Sequence, residues 1–134
     1  MTQHLNLRQA PLVELWHWLG AQIRWGLKPD DPRLIHRYLD AGRQACQTEG
    51  IEPWRAGERS FLTLLAAATD RELPWHWRIT CLDNAHRPLA ALAGQFGKHA
   101  ARQPALQKLA RQLAMADMAP DRPAQAPARR RRQS

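Results

Sequence analysis

Leu73-Pro74-Trp75-His76-Trp77-Arg78-Ile79-Thr80-Cys81-Leu82-Asp83-Asn84-Ala85-His86 decides the fold class, because it fits two kinds of backbone. Trp75, Trp77, Ile79 and Cys81 alternate with His76, Arg78, Thr80 and Leu82, the period of a half-buried strand. Pro74 at a first helical position, with Trp75, Ile79 and Leu82 at spacings of four and seven, suits an amphipathic helix equally well. A lone strand in an otherwise helical chain has nothing to pair with. The stretch is therefore predicted to be helical, and the chain all-α.

The N-terminal side of the chain carries three helical stripes. Leu12, Leu15, Trp16, Leu19 and Ile23 recur at three- and four-residue spacing from Pro11 to about Leu27. Asp30 or Asp31 is placed to cap a second helix, with Pro32 in its first turn, apolar positions Ile35, Tyr38, Leu39, Gly42, Ala45 and Cys46, and Gly50 as its stop. Pro53 opens a third helix, reaching about Thr69, with Trp54, Gly57, Phe61, Leu64, Leu65 and Ala68 on one face. On the C-terminal side, Pro88 is expected to begin a separate helix with Leu89, Leu92, Ala93 and Phe96 inward. Pro104 starts the last one, running to about Ala119 with Leu106, Leu109, Ala110, Leu113 and Ala116. Each apolar face needs a partner, so the expectation is a single compact bundle of five to six helices over residues 5–119. Residues 120–134, rich in Pro, Ala and Arg, lack any apolar period and are expected to form a disordered basic C-terminal tail.

The 134-residue chain has a formal net charge of +8, and its distribution is uneven. Residues 1–30 sum to +1 and 31–74 to −1, whereas 75–119 and 120–134 each carry +4. A neutral first half joined to a basic second half points to a polyanionic partner, most often nucleic acid. Seventeen of the twenty basic residues are Arg, whose planar fork binds phosphate and stacks on bases. The last helix would present Gln107, Lys108, Arg111 and Gln112 to phosphates or base edges. Gly97 could end the preceding helix as in a helix-turn-helix, although the connection from Lys98 to Gln103 is longer than such a turn uses. The candidate nucleic-acid contacts are Lys98, Arg102, Lys108 and Arg111, with Arg129, Arg130, Arg131 and Arg132 of the tail.

The competing expectation is a helical adaptor. Trp16-His17-Trp18 and Trp75-His76-Trp77 repeat a tripeptide, but their flanks differ, so duplication is not inferred. Trp16 and Trp18 cannot share a helix face, and Trp18 with Trp25, seven residues on, forms a neighbouring one that could stack bases or form a protein interface, the interface being favoured because this segment carries little positive charge.

Other classes find no support in the sequence. The longest apolar stretch, Leu12 to Leu27, contains Glu14, His17, Gln22 and Arg24, which argues against a membrane span. No secretory signal pattern opens the sequence, so a cytoplasmic protein is expected, with Cys46 and Cys81 as reduced thiols. The six histidines show no metal-ligand spacing, and no phosphate loop or nucleophile motif occurs. Neither a metal or cofactor nor a catalytic site is expected.

Overall fold

The computed structural model of the chain describes residues 11–119. Within them lie five α-helices and no strand: α1 (Leu12–Arg24), α2 (Arg33–Glu49), α3 (Pro53–Ala68), α4 (Trp75–Phe96) and α5 (Gln103–Ala114), with a 3-10 turn at Ala100–Arg102 before α5. The helix ends follow local chemistry. Gly50 stops α2 in the left-handed conformation at φ 77°, where only glycine is free of a Cβ penalty. Glu52 caps α3, its carboxylate accepting from the Trp54 and Arg55 amides at 3.2 Å each. α1 is capped from across the bundle: Glu49, the last residue of α2, accepts from the Leu12 and Val13 amides at 2.7 and 2.9 Å. A carboxylate that would oppose the dipole of its own helix C-terminus thus meets the positive end of α1.

α1 packs mainly on α2, and α3 mainly on α4; α1 and α2 both meet α3, and α5 closes against α4. The α1–α2 approach is set by two glycines. A Cβ on Gly20 would come within 2.8 Å of the Tyr38 ring, and one on Gly42 within 2.8 Å of the Trp16 indole nitrogen. Each glycine therefore seats the other helix's aromatic ring. Trp16 and Tyr38 stack at 6.1 Å, and their polar atoms reach α3, Trp16 donating to Ser60 at 3.2 Å and Tyr38 to Thr63 at 3.1 Å. Aromatic bulk is thus buried without orphaning its polar ends.

The stretch is helical from Trp75 onward, with Pro74 as the N-cap, but its inward face differs from the one expected. Trp77, Cys81, Ala85, Pro88 and Leu92 are buried, whereas Trp75 is exposed and Ile79 and Leu82 are half-buried. Two hydrogen bonds go with this rotation: Trp77 Nε1 donates to the Ile23 carbonyl at 3.0 Å, and Arg78 Nε to the Ala68 carbonyl at 2.8 Å. They satisfy carbonyls at the C-terminal ends of α1 and α3. The expected break at Pro88 is also corrected, since α4 runs through it. Proline inside a helix removes one ladder bond at a cost of about 3 kcal/mol. Burial of Ala85 and Leu92 on either side keeps both halves in register against the core.

Candidate functional site

The basic residues of the second half divide by environment. Lys108 and Arg111 stand exposed on the outer face of α5, together with Gln107 and Gln112, while Leu106 and Leu109 point into the core. Lys108, Arg111 and Gln112 share a shallow groove of about 440 Å³ with Leu65, Thr69, Met115 and Ala116. Lys98 is exposed in the α4–α5 connection, which the Gln103 side-chain amide closes by donating to the Gly97 carbonyl. From Gln103 to Ala116 the chain has no acidic residue.

Arg102 is held differently. Its guanidinium lies 4.6 Å from the Trp54 ring and 5.6 Å from Phe96, and 3.8 Å from Glu52. Those contacts tie the α5 entry to the start of α3. Arg78 is buried, and Arg87 donates to His36 at 2.9 Å and to Asn84 at 3.2 Å. Arg129 to Arg132 fall outside the described residues.

Trp18 and Trp25 are 38% and 58% exposed. Trp75, which periodicity assigns to the core, is 44% exposed and emerges at the same end of the bundle as Trp25. The chain after α1 adjoins the start of α4: a Cβ on Gly26 would lie 3.1 Å from Leu73 and 3.4 Å from Trp77, and His76 bonds Asp30 at 3.0 Å. Each ring is backed by a guanidinium, Arg24 at 4.3 Å from Trp25 and Arg78 at 5.1 Å from Trp75. Arg24 in turn bonds Asp70 at 2.8 Å. Burial pushes the Asp70 carboxyl up, but the Arg24 hydrogen bond, the Glu72 amide and the charges of Arg24 and Arg78 outweigh it and hold it below its ordinary value. The signal for Trp75 is present in the sequence: once Trp77 faces inward, a residue two positions earlier on a helix points away.

A more apolar groove lies elsewhere, about 490 Å³ between α2, α3 and α4, floored by Ala56, Gly57 and Leu92 and edged by Arg43 and Arg87. Arg43 is paired with Asp40 at 2.6 Å. Cys46 borders this groove, whereas Cys81 is buried in α4 with its thiol pushed up to about 12 by desolvation. His17 packs on Trp16 at 4.9 Å, and burial, then the charges of Arg59 and Arg55, hold its imidazole below the usual value. Among the described residues, no three His, Cys, Asp or Glu side chains gather where they could hold a metal, and no helix is long and apolar enough to cross a membrane. No family model, curated protein or solved structure matches the chain.

Proposed function

We propose that the protein is a non-enzymatic nucleic-acid-binding factor that grips phosphate backbone through α5 and the basic chain that follows it. The observation that carries this is the outer face of α5, where Lys108 and Arg111 are exposed beside Gln107 and Gln112 with no carboxylate on the helix. Arg122 and Arg129 to Arg132 continue the same sign of charge beyond it. Phosphate contacts of this kind position a protein on nucleic acid through counterion release, without reading sequence. Lys98 extends the patch toward the α4–α5 turn. Within the helical domain the proposal rests on Lys98, Lys108 and Arg111, because Arg102 is engaged by Trp54, Phe96 and Glu52.

Binding of labelled duplex and single-stranded oligonucleotides, titrated with KCl, tests this proposal. Affinity is expected to fall linearly on a log–log plot, and removal of residues 120–134 to weaken both probes. Absence of binding to either probe at low salt refutes it. The second candidate, an adaptor docking through α1, draws on the exposure of Trp18 and Trp25. It predicts no nucleic-acid affinity, and a protein partner that Trp18→Ala or Trp25→Ala no longer binds.

A further inference from the structure

We infer that the end of the bundle where α1 meets α4 is a base-stacking site for single-stranded nucleic acid, with Trp25 and Trp75 as its platforms. This rests on the nucleic-acid reading above and names which form of nucleic acid the protein prefers.

Four observations converge. Trp25 and Trp75 are among the most exposed large apolar side chains of the described residues, yet both are on ordered structure, one capping α1 and the other opening α4. Each has a guanidinium against its ring, at 4.3 and 5.1 Å. Those guanidiniums are fixed in turn, Arg24 by Asp70 and Arg78 by the Ala68 carbonyl, so the platforms are preorganised rather than assembled on binding. Three carboxylates of this region are engaged by cations or imidazole: Asp70 by Arg24, Asp30 by His76, Asp31 by Arg33.

The site also joins the basic face. Thr69 lines the groove that holds Lys108 and Arg111, and the next residue, Asp70, holds Arg24 beside Trp25. In the proposed path, a strand whose phosphates lie on α5 crosses the turn at 69–70 toward the two indoles. Aromatic platforms bordered by a cationic track are how sequence-tolerant single-strand binders work, since every base offers a π-face. A duplex keeps those faces stacked inside, so the same platforms discriminate against it.

The test uses the full chain with a fluorescein-labelled oligo-dT and a duplex of equal length. Trp25→Ala combined with Trp75→Ala should weaken oligo-dT by about thirtyfold or more. It should change duplex affinity less than twofold and leave the salt slope for oligo-dT unchanged. The Trp25→Phe and Trp75→Phe variants keep an aromatic face and should recover most of the loss, which separates stacking from a folding defect. Undiminished oligo-dT binding in the alanine variant, while Lys108→Ala/Arg111→Ala weakens it, overturns the stacking site and leaves the phosphate grip standing. Equal weakening of both probes overturns it as well, because losing a stacking platform cannot weaken a duplex whose base faces are already stacked inside. Failure of the wild-type chain to bind either probe removes the reading underneath.

Discussion

The salt dependence of nucleic-acid binding can be worked residue by residue. Of the six basic residues between 75 and 119, Arg78 is buried, Arg102 lies among Trp54, Phe96 and Glu52, and Arg87 borders the other groove, bonded to His36 and Asn84. That leaves Lys98, Lys108 and Arg111 on the side of α5, with five more arginines in residues 120–134. Each phosphate neutralised contributes a log–log slope of about −0.9 on duplex and about −0.7 on a single strand. If all eight engage, the single-strand slope is about −5.6, so affinity falls by about three decades between 50 and 200 mM salt. Lys108→Ala/Arg111→Ala removes two contacts and flattens that slope by about 1.4, or by about 1.8 on duplex. Arg102→Ala should instead leave the slope unaltered and lower the melting temperature, because it removes a cation–π contact worth about 0.5–2 kcal/mol. Fluorescence anisotropy against KCl measures the slopes, and circular dichroism the melting. An Arg102→Ala slope as flat as that of the double variant, or a double variant with the wild-type slope, refutes this division of the charges.

Three further predictions concern the scaffold. Gly57→Ala places a Cβ 2.5 Å from Leu92 Cδ2 and 2.7 Å from its Cγ; the overpacking cost of about 1–3 kcal/mol should exceed the helix-propensity gain of about 1 kcal/mol. Gly94→Ala meets nothing within 4 Å and should stabilise by about 0.5–1 kcal/mol, so equal denaturation midpoints for the two variants would contradict the α3–α4 packing. Asp70 titrates below its ordinary value in the folded state, so its stabilisation is full above the unfolded carboxylate pKa of about 3.9 and lost as pH falls through the lower folded value. Asp70→Asn should therefore cost about 1 kcal/mol at pH 7, with the gap to wild type closing in acid; a gap constant down to pH 2 would show that Asp70 acts by packing alone. Alkylation of the native protein at pH 8, read by mass spectrometry, should modify Cys46 before Cys81, whose thiol is pushed up to about 12, and faster labelling of Cys81 would mean that α4 opens readily.

The helices are legible in the sequence wherever a stripe faces one partner. Trp16, Leu19 and Ile23 on α1, and Ile35, Tyr38 and Ala45 on α2, are buried as their spacing implies, and Gly50 stops α2 where expected. Legibility fails on α4 for a tertiary reason. Apolar periodicity favours a face containing Trp75, Ile79 and Leu82. The inward face instead contains Arg78, because a guanidinium with a carbonyl to donate to and an indole ring to lie on can be buried, and Trp77 finds the Ile23 carbonyl in the same rotation. No local pattern encodes two carbonyls supplied by the ends of other helices. Pro88 misleads for a similar reason, since the packing that carries α4 through it comes from α3.

The same rotation links fold to proposed function. Turning Trp77 and Arg78 inward drives Trp75 outward, at the end of the bundle where Gly26, after α1, packs on Leu73 and Trp77. Composition places little positive charge near Trp25, which by itself disfavours base stacking there. The fold changes that balance by bringing Arg78 from α4 and Thr69, at the edge of the Lys108–Arg111 groove, to the same end of the bundle. Both cation–ring pairs are local, Arg24 beside Trp25 and Arg78 one turn after Trp75, and tertiary structure supplies the rotation of α4 that leaves Trp75 exposed. Local spacing therefore sets which guanidinium lies on each ring, while helix packing determines which of those rings stays exposed.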